Sequence, residues 1–374
     1  MQKAKKRFFS VTAVLLAVLV ALTALLPTAG AAQAATMRSK YTNKSYTHNA
    51  RFNKLEVLNG VDISAWQEKV NWKKIKNDGI DFAILRAGYG KNASQEDAYF
   101  ATNFKNATAA GLPVGIYWYS YAKSVADVEK EARLCLQVLG SRTLDLPVFY
   151  DLEESSQLNK GKAFCTQLVE HFCSIIAAAG HTPGLYMSRS PLLDYIEQET
   201  RGRYALWVAE YDSKTCKYDG DYLMWQYADN GKVAGVNGNT DMNFLYGNKN
   251  SLPGSAPLLK SKPYTGKAIT PAPTVTGEDG QPLKADKDYT LTYINNKAVG
   301  MATITAQGLG TYTGRRWYYR FKILPAKVTG LTLESRSKTR LTYIWNATPG
   351  ANAYLVKVIN RTTGKGFDLS LIHI

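Results

Sequence analysis

Residues 55 to 250 alternate between short apolar runs and longer segments whose apolar positions recur every three or four residues. The segment "VADVEKEARLCLQVLG" has helical spacing and ends in a glycine that suits a helix C-terminus. Strand and helix in repetition predict an α/β fold with a parallel sheet. Because the later connections are too short for full helices, we expect an irregular (β/α) TIM-like barrel. The predicted strands are "VLNGVDISAW", "DFAILRAGY", "LPVGIYWYSYA", "LPVFYDLE", "TPGLYMS", "YALWVAEYD" and "YLMWQYA".

Polar side chains follow several of these predicted strands. Asp151 and Glu153 in "FYDLE" are two positions apart, so a strand would point both to one face. Active sites of such barrels form at the C-terminal ends of the strands. We therefore predict a site there rather than an acidic pair that only caps the next helix. Other polar and aromatic residues in the same context are Asp62, Asp241, Glu210, Gln226, Tyr119, Tyr121, Tyr186, Trp207 and Trp225.

Carboxylates and aromatic side chains together suit the hydrolysis of a glycosidic bond. One carboxyl must stay protonated to donate to the leaving oxygen, and another must be ionised. A close pair separates these roles, because burial and adjacent negative charge raise one pKa. The alternative is a metal site built from Asp62, Asp151, Glu153 and Asp241. A metal site has no use for an aromatic wall, so we favour the hydrolase.

The order of the sequence blocks resembles glycoside hydrolase family 25, the muramidases that cut bacterial cell-wall glycan. The resemblance covers roughly residues 57 to 247. It implies an irregular (β/α) barrel and cleavage of the β-1,4 bond between N-acetylmuramic acid and N-acetylglucosamine. The blocks that carry it are "GVDISAWQEKVNWKKIKNDGIDFAILRAGYG", "GLPVGIYWYSYA", "PVFYDLE", "LWVAEYD" and "MWQYADNGKVAGVNGNTDMNFLYG".

The resemblance assigns roles to the acidic residues. Glu153 would be the general acid, and Asp151 would stabilise positive charge or orient the participating acetamide or water. Asp62 and Asp241 match the family's other two active-site aspartates. Many members have Tyr-His-Phe in the third strand where this chain has "YWY", so stacking would replace a histidine contact to sugar. We expect substrate contacts from Arg86, Tyr119, Tyr121, Tyr186, Trp207, Glu210, Trp225 and Gln226.

Several of these side chains also have a purely structural interpretation. We place Trp66 and Trp72 in the core. Arg86 is either a substrate contact or an ion-pair partner of Asp62 or Asp151, and Glu210 either contacts substrate or caps a loop.

The N-terminal segment, residues 1–34, reads as a secretory signal peptide: a basic start, a long apolar stretch and Ala32-Gln33-Ala34 at its end. An uncleaved membrane anchor is the alternative. We expect export and a linker over 35–54 before a catalytic barrel over 55–250. The four cysteines contain no CxxC pair and the four histidines no metal-binding spacing. We predict buried free cysteines, no cofactor and no metal.

The C-terminal third of the chain is predicted to form all-β sandwich-type modules, because its short runs of alternating apolar and polar residues are interrupted by Gly, Pro and Asp. Residues 251–324 resemble an Ig-like module, and 325–374 resemble part of a fibronectin type III domain. The charge also changes: 35–250 hold 25 basic and 24 acidic side chains, whereas 251–374 hold 17 and 6. We expect the partners to be peptidoglycan strands and anionic cell-wall polymers, with no nucleic acid. The competing functions are a non-catalytic glycan-binding protein and a metal-dependent deacetylase.

Overall fold

The computed structural model describes residues 34–248, 252–351, 353–359 and 366–373. The predicted signal peptide therefore lies almost entirely outside the described residues, as do parts of the predicted fibronectin-like segment. No helix within the described ranges has the length and apolarity to cross a bilayer.

An eight-stranded closed barrel forms the larger part of the structure and confirms the predicted fold of this region. Seven neighbouring strands pair in parallel, and the eighth runs antiparallel to both of its neighbours. Ordered by sequence, the strands are β3 (Glu56–Ile63), β4 (Phe82–Tyr89), β5 (Val114–Tyr119), β6 (Val148–Asp151), β7 (Pro183–Ser188), β8 (Ala205–Ala209), β9 (Met224–Gly231) and β10 (Thr240–Gly247).

Helices cover the outside of the barrel along its first six strands. The helix Val125–Leu139 spans the segment for which the sequence predicts one: Ser124 accepts a hydrogen bond from the backbone N–H of Asp127, and Gly140 follows the last turn with φ 59°. After β8 the chain makes no further α-helix before the barrel closes, as the short connections indicated. The helices are α1 (Trp72–Asn77), α2 (Phe100–Ala109), α3 (Val125–Leu139), α4 (Ser155–Leu158), α5 (Lys162–Ala178), α6 (Arg189–Tyr195) and α7 (Gln198–Arg203).

The four cysteines are buried and free, which confirms their prediction as small core residues. Cys165 and Cys173 lie on the buried face of α5, eight residues apart in a helix that packs against the barrel. Trp72 is also core, as predicted, and its indole N–H donates to Asn103.

Large side chains fill the lower part of the barrel interior. Phe82, Phe149 and Trp207 are buried there. Gly60 makes room for this packing, since a Cβ at that position would lie 2.1 Å from the ring of Phe82. The interior is therefore closed beneath the C-terminal ends of the strands, and a substrate can enter only from above.

Residues 35–54 are not a linker, contrary to the prediction. Strands β1 (Thr36–Arg38) and β2 (Ser45–Thr47) form a hairpin, and Tyr46 and Phe52 belong to the same buried cluster as the barrel strands. Tyr46 packs edge-on against Trp225, with ring centroids 5.6 Å apart. The sequence of this segment has no helical or strand periodicity long enough to predict an element. Its position depends instead on aromatic contacts with β9 and β10.

The residues after the barrel form a four-stranded sheet and two further two-stranded pairs. The first strand of this sheet in sequence pairs in parallel with the fourth, the fourth pairs antiparallel with the third, and the third pairs antiparallel with the second. Its membership in the Ig-like class, and that of the last pairs in the fibronectin class, stay predictions. The strands are β11 (Leu258–Pro263), β12 (Tyr289–Ile294), β13 (Gly300–Gly308), β14 (Arg316–Leu324), β15 (Thr332–Arg336), β16 (Leu341–Ile344), β17 (Ala353–Ile359) and β18 (Gly366–His373).

The sheet is docked directly on the barrel. Arg316 of β14 forms an ion pair with Asp221 and donates to the carbonyl of Tyr222. Arg320, on the same strand, donates to the carbonyls of Ala256 and Gly180. These contacts lie beside the starts of β7 and β8, at the end of the barrel remote from the carboxylates.

Candidate active site

Strand register brings the predicted acidic residues together at the mouth of the barrel. Asp62 near the end of β3 is the direct partner of Asp241 near the start of β10, because β10 runs in the opposite direction. Asp151 is the last residue of β6 and lies in register with Tyr119 and Tyr186 on its two neighbours. Asp151 and Glu153 are close enough for the charge of Glu153 to raise the pKa of Asp151. All four carboxylates thus share one site.

Asp62 is buried and held by two amide side chains. Its Oδ2 accepts from Gln226 Nε2 at 2.9 Å and from Asn243 Nδ2 at 2.7 Å. The Asn243 amide is fixed in turn, because its oxygen accepts from the indole N–H of Trp207 at 2.7 Å. Burial raises the pKa of Asp62 overall, although the hydrogen bonds from Asn243 and Gln226 oppose this rise. Two fixed donors on one oxygen favour the ionised form of Asp62 over that of its carboxyl partner.

That partner is Asp241. Burial, followed by the negative charge of Asp62, raises the pKa of Asp241 to about 9. Two carboxyls this close cannot both ionise easily, so the pair shares one proton near neutral pH. The sharing reduces the negative charge at the mouth without removing either side chain.

Asp151 and Glu153 form the second acidic pair, at different depths. Asp151 is buried, whereas Glu153 is exposed at the mouth. Burial first, and the charge of Glu153 second, raise the pKa of Asp151 well above its usual range. Desolvation by the surrounding walls also raises the pKa of Glu153. The pair therefore keeps a proton at a pH where an ordinary carboxyl would have lost it.

One oxygen of Asp151 has a further property. Its Oδ1 is buried and accepts no hydrogen bond within the described part of the chain. A buried acceptor without a donor is costly, so a ligand N–H or O–H at this position would be favoured.

Tyrosines line the mouth and continue the hydrogen-bond network. Tyr186 and Tyr211 both donate to Oε1 of Gln226, at 2.7 and 2.5 Å, which orients its amide toward Asp62. Tyr119 donates to Glu154 at 2.7 Å, and its ring lies 5.1 Å from that of Tyr121. Gln226, Tyr119, Tyr121 and Tyr186 thus lie where the sequence places them.

Three predicted substrate contacts are corrected by the structure. Trp225 is fully buried on the outer side of the barrel, because its neighbour Gln226 occupies the inner side. Trp207 faces inward but is buried in the floor. Glu210 pairs with Arg189 at 3.1 Å and accepts from the backbone N–H of Lys217. All three have structural partners, and the two tryptophans have no face open to a sugar.

Arg86 and Trp66 also differ from expectation. Arg86 pairs with Asp97, with Nε and Oδ2 2.8 Å apart, rather than with Asp62 or Asp151. Asp97 Oδ2 accepts in addition from the backbone N–H of Ala65, so this buried aspartate ties β4 to the loop after β3. Trp66 in that loop is 82% exposed, so its prediction as core was wrong.

The sequence reasoning placed Tyr211 at the end of a predicted strand, but it missed Asn243 and Asp97 as parts of the site. Asn243 could have been predicted, because residues two apart in a strand point to the same face and Asn243 lies two positions after Asp241. Asp97 gave no signal, since it belongs to no predicted strand. Among the described residues, no group of three or more His, Cys, Asp or Glu side chains is arranged to hold a metal ion.

Asp241→Asn is expected to raise the thermal unfolding midpoint at alkaline pH. The folded chain holds a proton on Asp241 up to a pKa of about 9, whereas the usual value is 3.8. The contribution of this proton to the free energy of unfolding is therefore fully present below pH 3.8, and it is lost as the pH rises toward about 9. Asparagine is neutral throughout, so the variant escapes this loss. Calorimetry between about pH 5 and pH 9 checks the growing difference.

The exposed Asp194→Asn serves as the control for this substitution. It removes a carboxyl without a buried partner, so its midpoint should follow that of the unaltered chain at every pH. An Asp241→Asn curve parallel to the unaltered curve would contradict the proton sharing.

Comparison with known proteins identifies the family. The sequence profile of "Glycosyl hydrolases family 25" matches residues 61–236. "Uncharacterized protein YegX" of Escherichia coli O157:H7 is 30% identical over 217 residues, 55% of this chain and 76% of that protein. "Lysozyme M1" of Streptomyces globisporus is 26% identical over 208 residues, 51% of this chain and 68% of that protein. A solved family 25 glycosyl hydrolase from Bacillus anthracis gives a TM-score of 0.46 at 22% identity, covering 53% of this chain and 92% of that one. The chain belongs to glycosyl hydrolases family 25 and is a glycoside hydrolase of the lysozyme type.

Proposed function

We propose that this enzyme hydrolyses the β-1,4 bond between N-acetylmuramic acid and N-acetylglucosamine in peptidoglycan, with Glu153 as the general acid. The observation that carries the proposal is the pair formed by an exposed Glu153 and a buried Asp151 at the open end of the barrel. Glu153 can reach a bound glycan, and its raised pKa keeps a proton available for the leaving oxygen.

Asp151 supports the general acid Glu153 from a deeper position in the site. As bond cleavage proceeds, positive charge develops on the sugar, and a carboxylate below it lowers the barrier. Its Oδ1, without a hydrogen-bond donor among the described residues, is available to the N–H of the sugar acetamide or to the attacking water. The two carboxyls share a proton, so in the reactive form, with the proton on Glu153, Asp151 is the ionised member of the pair.

Asp62 and Asp241 act as a supporting pair. Their shared proton, together with the amides of Gln226 and Asn243, gives the cleft donors and acceptors in fixed positions. Fixed groups of this kind stabilise a transition state without reorganising during the reaction.

Fragment analysis tests the proposed reaction. Purified peptidoglycan is digested and the soluble products are reduced and identified by mass spectrometry. New reducing ends on N-acetylmuramic acid are expected. Reducing ends on N-acetylglucosamine would contradict the proposed bond, loss of acetyl groups would indicate a deacetylase, and bound but uncut glycan would indicate a binding protein.

Trp66 is the exposed aromatic side chain best placed for sugar stacking. It follows the C-terminal end of β3, in a turn capped by Ser64 and Gln67, and is 82% exposed. Trp66→Ala should raise KM for soluble glycan about tenfold while leaving kcat nearly unchanged, because stacking holds substrate and transition state alike. Steady-state kinetics checks the split. Tyr343→Ala, at an exposed aromatic on β16, should leave both constants unchanged.

We also propose that the enzyme is exported and that its basic sheet binds anionic wall polymers. The apolar stretch before residue 34 supports export. Exposed lysines support the second proposal, since they attract a polyanion over a range that salt shortens to about 10 Å at 0.1 M. They include Lys260, Lys267, Lys284, Lys287, Lys297 and Lys322.

Charge reversal tests this attachment better than truncation, because removing the sheet would uncover the docked end of the barrel. Lys260, Lys267 and Lys284 are changed together to Glu. Sedimentation with intact walls at low salt should fall, while the rate on soluble glycan should stay the same. Equal sedimentation of both proteins across a salt series would show that the sheet is only a spacer.

A further inference from the structure

Glu131 is a fully buried acidic side chain that takes no direct part in the proposed hydrolysis. It belongs to α3 and lies outside the barrel wall, beside the ring of Tyr150, which stacks on Phe172 of α5. Burial raises the pKa of Glu131 to about 7, although hydrogen bonds from its neighbours oppose the rise. A carboxyl is costly in such a place unless both of its oxygens are used.

Both oxygens of Glu131 hold the loop that follows β5, residues 120–122, which we call the β5 loop. Oε1 accepts from the backbone N–H of Tyr121 at 2.8 Å, and Oε2 accepts from the hydroxyl of Ser120 at 2.8 Å. The hydroxyl of Tyr150 lies 2.6 Å from Oγ of Ser120, so β6 joins the same network. The β5 loop is therefore fixed from behind by a buried acceptor rather than by the mouth of the barrel.

The β5 loop in turn holds the segment that carries the proposed acid, and it does so at both ends. The backbone N–H of Ser120 donates to the carbonyl of Asp151 at 2.9 Å. The buried Nε2 of Gln157 donates to Oγ of Ser120 at 2.8 Å and to the carbonyl of Ala122 at 3.0 Å. Glu153 lies between these two attachments, so the position of its carboxyl depends on the β5 loop.

We propose that Glu131 is a positioning residue for the hydrolysis, which fixes the carboxyl of Glu153 relative to the leaving oxygen by holding the β5 loop. The inference rests on the proposed role of Glu153 as general acid. A proton donor must lie within hydrogen-bond reach of the atom it protonates, and a displacement of about 1 Å can lower the rate up to about 10²-fold. Glu131 is closed to solvent, so it acts through the loop and not on the substrate.

Steady-state kinetics on soluble glycan tests this role. Glu131→Leu is of similar size but removes both acceptors, so kcat should fall about tenfold while KM stays within about threefold. Glu131→Gln keeps an oxygen for the N–H of Tyr121 and offers an amide N–H to Ser120, so its kcat should stay within about threefold of the unaltered enzyme. Val128→Ala is the matched control, because it removes buried packing from the same helix but no hydrogen bond, and it should leave kcat and KM unchanged.

Hydrogen exchange without substrate measures the positioning itself. Amides of residues 151–157 should exchange faster in Glu131→Leu than in Val128→Ala, because the attachments to the β5 loop are weakened. Ser120→Ala removes the hydroxyl that links Glu131 to Gln157 and should show the same two effects, so the test remains available if Glu131→Leu does not fold.

Three results would overturn the proposal. They are exchange as slow as in Val128→Ala, a kcat equal to that of Val128→Ala, and a loss in Glu131→Gln as large as in Glu131→Leu. Failure of the acid itself is a separate outcome, because near-normal turnover in Glu153→Gln would remove Glu153 as proton donor whatever the exchange rates show.

Discussion

Glu153→Gln should lower kcat on peptidoglycan at least about 10²-fold while leaving the fold and glycan binding in place. Glutamine has nearly the same shape as glutamic acid, but its amide cannot deliver a proton to a leaving alkoxide. Glu153 is exposed at the barrel mouth, so the exchange should leave the buried packing beneath it unchanged. Release of soluble fragments from purified walls measures the rate, and sedimentation with the same walls measures binding.

The adjacent Glu154→Gln is the matched control. Glu154 accepts from the hydroxyl of Tyr119 at 2.7 Å, and a glutamine oxygen can accept the same bond. Its rate should therefore stay within about threefold of the unaltered enzyme. Near-normal turnover in Glu153→Gln, or an equally large loss in Glu154→Gln, would remove Glu153 from the role of proton donor.

Asp221→Asn should lower the free energy of unfolding by about 3 kcal/mol. Asp221 neutralises Arg316, whose side chain is only 9% exposed in the contact between sheet and barrel. Without the carboxylate, a positive charge would remain buried and unpaired, and much of the cost arises from that charge rather than from the lost bond. Denaturant titration of the full chain measures the change.

The neighbouring arginine offers a comparison at the surface. Arg315 pairs with Glu278 at 2.6 Å; the arginine is 15% exposed, but Glu278 is 73% exposed, so a glutamine in its place stays in solvent and can still accept from Arg315. Glu278→Gln should therefore leave the unfolding curve unchanged. If Asp221→Asn behaves like Glu278→Gln, the sheet does not contribute to the stability of the barrel.

Local patterns predicted the barrel and its acidic mouth because the relevant information is short-range. Apolar runs of strand length and the separation of Asp151 from Glu153 depend on neighbouring residues alone. The error at Trp225 was avoidable by the same rule. Side chains alternate along a strand, so if Gln226 faces the barrel interior, the residue before it must face outward. The aromatic character of Trp225 alone had suggested a sugar contact.

Long-range contacts explain what could not be predicted. The hairpin at residues 36–47 has strands too short to produce a recognisable sequence pattern. Aromatic packing on β9 and β10 determines its position. Asp97 reaches Arg86 from a loop, and Trp66 is exposed because a 3-10 turn carries it off the end of β3. Each depends on which elements meet in three dimensions, which no local periodicity records.

The docking of the sheet beside the starts of β7 and β8 fixes where the enzyme can work. A polymer held by the sheet and a glycan in the cleft would lie at opposite ends of a barrel that does not bend. The enzyme would thus cut a glycan strand in one layer of a wall while its sheet stays bound to a polymer in another layer. Such an arrangement favours scattered cuts across neighbouring layers over stepwise travel along a single chain.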